Sequence, residues 1–101
     1  MLPELSHLQF SVLEILRDGS RSGKFVRMEL AKRKINRNGP MFYQIMARLE
    51  DSGFVKGWYE QLEIDGVKVR ERTYEITGDG VQALGRVHAF YGQFLSFGLQ
   101  G

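Results

Sequence analysis

Two runs rich in β-branched, aromatic and charged residues, Val55 to Ile64 and Val67 to Ile76, flank the dipeptide Asp65-Gly66. Asp-Gly between such runs is a strong hairpin signal, because a type I′ turn needs positive φ at both central residues. Pairing about that turn sets Ile64 opposite Val67, Glu63 opposite Lys68, Gln61 opposite Arg70, Tyr59 opposite Arg72 and Val55 opposite Ile76. Near the base one face then carries Val55, Tyr74 and Ile76. At the tip that same face carries Glu63, Lys68 and Arg70, and the opposite face carries Leu62, Ile64, Val67 and Val69. The apolar side therefore switches along the ribbon. Either a bulge near Gly57 flips the register, or the outer ribbon packs on something beyond its own core.

A short helix with clear ends precedes the ribbon. Asn36-Arg37-Asn38-Gly39 reads as a turn, and Pro40 fits the first helical position, where its missing N–H costs nothing. Phe42, Ile45, Met46 and Leu49 make an i, i+3, i+4, i+7 face. Gly53 fits the left-handed position just past the helix end.

Upstream, Ser6 and Gln9 fit a capping box, with Leu5 and Phe10 as its hydrophobic staple. Leu8, Val12, Ile15 and Leu16 then recur at helical spacing until Asp18-Gly19-Ser20 breaks the pattern. A second helix is expected from Ser22 or Gly23 to about Lys34, with Phe25, Val26, Met28, Leu30 and Ala31 as its apolar positions. Thr77 caps a last helix running from about Gly78 into the high nineties. Three helices, a two-stranded ribbon and a closing helix make a mostly helical α+β fold, a winged helix-turn-helix. The 101 residues are expected to form one domain, with residues 5–77 as core and wing and 78–98 as the closing helix.

The last helix is apolar around most of its girth. Leu84, Val87, Tyr91, Phe94 and Leu95 form one stripe, and Ala83, Phe90 and Phe97 another. Gly85, Ala89, Gly92 and Ser96 form a line of small residues. Each mid-helix glycine costs about 1 kcal/mol relative to alanine, so two on one line point to a second helix backbone approaching closely. A helix apolar on every side is buried, and a protomer this small has little with which to cover it. The stripe is read as a dimer seam, with a helix lying across its own core as the alternative. Tyr91 and Phe94 motivate a small aromatic effector at that seam.

Hydrophobic content of 43% argues for an ordered globule. There are no cysteines, hence no disulfide framework and no thiolate metal site. Met1-Leu2-Pro3-Glu4 lacks a basic leader and an apolar run, so no signal peptide is expected, nor any membrane span. A cytoplasmic location follows as the expectation. His7 and His88 have no sequence neighbours that would complete a metal site, and no Ser/His/Asp arrangement can be inferred. Neither enzymatic activity nor a cofactor is expected.

Net charge is only +2, but its distribution is uneven. Between Arg17 and Arg37 lie eight basic residues against Asp18 and Glu29. Such a cluster is what phosphate attraction requires, although a solvated helix face would look the same. The short helix turns Met41, Tyr43, Gln44, Ala47 and Arg48 away from its apolar face. Gln44 can pair with adenine, and Arg48 with guanine or phosphate. Asn36, Arg37 and Asn38 stand at the helix entrance, where free backbone N–H groups favour phosphate. Lys24 adds charge on the preceding helix, and Lys68, Arg70 and Arg72 alternate onto one wing face. Arg48 could instead pair with Glu50 or Asp51, the wing cations with Glu63, and Tyr43 could be half-buried. The expected partner is duplex DNA, with the helix from Pro40 to Ser52 in a major groove and half-sites about one turn apart. The alternative is a protein-binding winged helix, which the acidic residues and apolar tip of the wing permit.

Two segments resemble a known family. Phe42-Tyr43-Gln44-Ile45-Met46-Ala47-Arg48-Leu49-Glu50-Asp51-Ser52-Gly53-Phe54-Val55 is similar to the PadR-type signature, with its tyrosine, its Arg-Leu-Glu and its glycine before two apolar residues. Trp58 falls where that family often has an aromatic on the first wing strand. Arg72-Thr73-Tyr74-Glu75-Ile76-Thr77-Gly78-Asp79-Gly80-Val81-Gln82-Ala83-Leu84 resembles the family's Arg-x-Tyr-x-apolar-Thr-x-x-Gly-x-x-Ala-Leu. Gly23-Lys24-Phe25 departs from the usual Gly-Tyr-Glu, and Gly78 from the usual glutamate. The resemblance implies a dimeric transcription regulator, usually a repressor, that dimerises through its terminal helices. On that basis Leu8 and Val12 join Leu84, Val87, Tyr91, Phe94 and Leu95 as expected seam residues.

Overall fold

The capping box at Ser6 forms as its residues dictate. The Gln9 N–H donates to the Ser6 hydroxyl and the Ser6 N–H to the Gln9 side chain, both at 3.1 Å. Helix α1 (His7–Leu16) follows, then a two-residue strand β1 (Arg21–Ser22), helix α2 (Gly23–Lys32) and helix α3 (Gly39–Asp51). Strands β2 (Val55–Ile64) and β3 (Val67–Ile76) form the wing, and α4 (Gly78–Gln100) closes the chain. This computed structural model describes residues 4–100, and side chains from 4 to 92. None of the helices is long and apolar enough to cross a membrane among the described residues.

The wing register agrees pair for pair with the expectation, from Val55 opposite Ile76 to Ile64 opposite Val67. Asp65 and Gly66 both adopt positive φ, 52° and 79°, as the turn requires. The register is unbroken, so of the two readings of the apolar switch the bulge near Gly57 is the one that falls. The apolar tip stays open instead, with Leu62, Ile64 and Val67 exposed. The sheet has three strands rather than two. Arg21 and Ser22 pair with Tyr74 and Thr73, in the order β1-β3-β2. Ser22 also caps α2, accepting from the Phe25 N–H, so the wing base and the helix-turn-helix share one residue.

Helices α2 and α3 end alike. The Ile35 N–H donates to the Leu30 carbonyl and the Lys34 N–H to that of Ala31, with Lys34 at φ 62°. The Phe54 N–H donates to the Leu49 carbonyl and the Gly53 N–H to that of Glu50, with Gly53 at φ 79°. Both are Schellman terminations. They turn Ile35 and Phe54 back onto the core, which fixes where α3 begins and where the wing leaves it. Thr77 then ties the next junction. The Thr77 hydroxyl donates to the Gly53 carbonyl at 2.6 Å and accepts from the Gly80 N–H at 3.0 Å.

The core gathers Val12, Leu13 and Leu16 of α1, Val26 and Leu30 of α2, Phe42, Met46 and Leu49 of α3, Val55 and Tyr74 of the wing, and Ala83, Leu84 and Val87 of α4. This corrects three expected seam residues. Val12, Leu84 and Val87 are 0%, 2% and 2% exposed within one protomer, and so have no surface left for a partner. Leu8 is partly buried against the same core, and Tyr91 is exposed. Phe94 and Leu95 lie outside the described side chains. Helix α2 also differs from its sequence reading. Val26 and Leu30 are its buried apolar residues, whereas Phe25, Met28 and Ala31 face outward.

Candidate nucleic-acid interface

Asn38 rather than Gly39 sets the start of α3. Its side chain accepts from the Met41 N–H at 2.9 Å, and Pro40 follows within the first turn. Asn38 therefore serves the helix first, with only its amide N–H groups left for phosphate. Burial of Phe42, Met46 and Leu49 turns Met41, Tyr43, Gln44, Ala47 and Arg48 outward together. Arg48 forms no ion pair among the described residues, so its expected competition with Glu50 and Asp51 does not arise. Tyr43 is exposed, with its ring edge-on to Phe42 at 5.0 Å.

Basic residues from three elements meet beside this face. Lys24 and Arg27 of α2 line a groove of about 280 Å³ with Asn36, Arg37 and Phe42. They also line a second, of about 240 Å³, with Tyr43, Arg70 and Arg72. Lys24 and Arg27 thus stand between the entrance of α3 and the wing, and one cationic track runs past the exposed face. Arg27 entered the sequence reading only through the charge sum. Its position over the Phe42 ring, 6.0 Å from the centroid, is a tertiary feature with no local signal. Lys68 and Arg70 are exposed on the wing and form no ion pair among the described residues, although Glu63 lies opposite Lys68.

Arg72 is placed differently. Its guanidinium donates to Glu50 of α3 at 2.7 Å, across a cleft of about 600 Å³ lined by Tyr43, Glu50, Tyr59, Arg70, Arg72 and Tyr74. The sequence reading has Arg72 contacting phosphate or pairing with Glu63 across the wing, and the structure pairs it instead with Glu50. Burial works against the Arg72 charge, but the neighbouring Tyr74 and the Glu50 carboxylate hold its pKa above the ordinary value. Burial pushes the Tyr74 hydroxyl up to about 12, against the pull of Arg72.

An alkaline transition follows from Tyr74. The unfolded chain ionises a tyrosine near 10 and the fold only near 12, so the fold is favoured while the proton stays on. That contribution is complete below about pH 10 and is lost as pH rises to about 12, a loss of about 3 kcal/mol at most. Denaturant titrations at about pH 8 and pH 12 should show wild type losing more stability than Tyr74→Phe. Equal losses would mean that this hydroxyl does not drive the transition.

His88 of α4 finds its carboxylate on another helix. Its Nε2 lies 3.3 Å from Glu14 of α1, and its ring is edge-on to Phe10. No group of three potential metal ligands occurs among the described residues.

No family model matches the chain, and neither does any curated protein. Solved structures do. A PadR-like transcription factor from Bacteroides fragilis superposes with a TM-score of 0.75 at 17% identity, over 92% of this chain and 87% of that one. A PadR family transcriptional regulator from Eggerthella lenta gives 0.71 at 25% identity, over 92% and 78%. PadR of Bacillus subtilis, solved in complex with operator DNA, gives 0.66 at 24% identity. That match covers 80% of this chain but 46% of the longer Bacillus protein. The chain has the winged helix fold of these PadR-like proteins.

Proposed function

We propose that the chain is a homodimeric, sequence-specific regulator of transcription that binds duplex DNA and acts as a repressor. The observation that carries this reading is the outward face of α3, with Gln44 and Arg48 unpaired among the described residues and a cationic track from Arg37 through Lys24 and Arg27 to Arg70 beside it. Base edges would be read by α3, and the track would hold phosphates and set its register. The structural likeness to a protein solved on its operator supports the same reading. DNA as partner implies a cytoplasmic location. A small aromatic effector beside Tyr91 and Phe94 is part of the proposal, and a ligand that shifts both melting temperature and DNA affinity would support it.

The test is titration of a fluorescent fragment of the gene's own upstream region at two salt concentrations, with random DNA as competitor. Binding should survive the competitor and weaken steeply with salt, with a log–log slope of about −0.9 per phosphate contacted. Arg48→Ala should lose about tenfold or more in affinity, since a bidentate base contact is worth about 1–3 kcal/mol. Equal binding to random DNA would defeat the reading. A protein-binding wing is then the second reading, favoured by the open apolar tip at Leu62, Ile64 and Val67.

A further inference from the structure

Among the described residues one ion pair joins α3 to the wing. Arg72 Nη2 lies 2.7 Å from Glu50 Oε1, with the two side chains 26% and 25% exposed. Its surroundings are built around it. The Tyr59 ring lies 5.0 Å from the Arg72 guanidinium and 4.5 Å from that of Arg70, and the Tyr74 ring lies 5.6 Å from Arg72. Gly57 leaves the necessary room. A Cβ there would collide with the Glu50 carboxylate and lie 2.9 Å from Arg72 Nη2. Both halves of the pair fall in the segments that carry the family resemblance, Arg48-Leu49-Glu50 and Arg72-Thr73-Tyr74.

A cation in this cleft has two possible partners, the carboxylate and a DNA phosphate. A guanidinium free to take phosphate would add affinity for every sequence alike. One already charge-paired at hydrogen-bond distance adds little, and the Glu50 charge repels a backbone that approaches the cleft floor. A wing tied to α3 also transmits its phosphate contacts to α3 as a fixed register, whereas a loose wing contacts phosphate at any register.

We infer that Glu50 and Arg72 form a specificity-determining latch, which holds the wing at a set angle to α3 and withholds Arg72 from the DNA backbone. Arg70 and Lys68 are then the wing's phosphate contacts, and Arg72 is a positioning residue. The inference rests on the DNA-binding reading for its consequence but not for its geometry, so two readouts separate them.

The first readout is backbone amide order parameters of residues 62–70 in the free protein, without DNA. They should fall in Glu50→Gln and in Arg72→Gln relative to wild type, and unchanged values in both variants overturn the latch. The second is the salt dependence of binding to the upstream fragment. Glu50→Gln releases Arg72, so the log–log slope should steepen by about 0.9, and the preference over random DNA should fall about tenfold. Arg72→Gln should leave the slope at the wild-type value while the preference falls. A slope flattened by about 0.9 in Arg72→Gln would make Arg72 a phosphate contact and overturn the inference. If Glu50→Gln does not fold, Arg72→Gln decides by slope alone. Absence of any salt-dependent binding by wild type defeats the DNA reading, and the order parameters still decide the latch.

Discussion

Replacing Gly80 by alanine should lower the melting temperature by on the order of 10 to 20 °C, an effect equivalent to about 2–3 kcal/mol in a domain of this size. Gly80 sits in the first turn of α4, where alanine would ordinarily improve a helix by about 1 kcal/mol. Here the α4 backbone lies directly against the end of α3. A Cβ at Gly80 would overlap the Phe54 carbonyl oxygen and lie 2.7 Å from Ile76 Cγ1 and 3.1 Å from the Phe54 carbonyl carbon. The Phe54 carbonyl cannot swing aside, because it accepts from the Thr77 N–H at 3.0 Å. Relief therefore requires α4 to move and loosens the bonds that Thr77 makes to Gly53 and Gly80. Differential scanning calorimetry of Gly80→Ala beside Gly78→Ala makes the measurement. Gly78, off the proposed seam, has open space where its Cβ would stand, so that variant should gain stability while the first loses it. A gain in both would show that the junction yields freely.

This junction gives physical content to the Thr-x-x-Gly of the second resembling segment. Threonine supplies both a cap for α4 and a donor to the end of α3, and glycine three residues on admits the carbonyl between them. The orientation of α4 relative to α3 is thereby set by backbone contacts. In the proposed dimer, that orientation determines how far apart two recognition helices stand and hence which half-site spacing they fit.

The elements legible in the sequence were those fixed by local chemistry. The hairpin register followed from one turn, because a type I′ dipeptide leaves a single way to pair the flanking residues. Ser6, Gly53 and Thr77 announced helix ends through short-range bonds that side chain and backbone make within a few residues. What was not legible depends on distant neighbours. Arg21-Ser22 is too short to show alternation, and becomes a strand only because Tyr74 and Thr73 present a free edge. The pair of Glu50 with Arg72 spans 22 positions, and no local signal announces it. In α4 the apolar girth hid the direction of burial. Leu84 and Val87 look like continuations of the stripe through Tyr91, yet they turn inward with Ala83 while Tyr91 stays outside. At the wing, the switch of apolar side was read from the alternation itself, and the unbroken register shows that no bulge absorbs it.

Gly85→Leu should leave the protomer folded and weaken operator binding by about 10² to 10⁴, through loss of the proposed dimer. Gly85, Ala89 and Gly92 all lie on the exposed side of α4, and among the described residues a Cβ at Gly85 or Gly92 meets no heavy atom within 4 Å. None of the described residues therefore requires glycine there, and leucine is the better helix former. Packing within one chain predicts a gain in stability from this substitution. Packing against a second α4 predicts the reverse for the assembly, because the separation of two helix axes is set by the side chains between them. Two half-sites held by one dimer bind with an effective concentration that a separated protomer lacks, so DNA affinity should fall although Arg48, Gln44 and the cationic track are untouched. Sedimentation equilibrium and a DNA titration on the same sample distinguish the cases. A folded monomer with weakened binding supports a seam along the glycine line. A dimer of undiminished affinity would place the subunit contact on another surface, with the exposed apolar tip at Ile64 and Val67 the next to test.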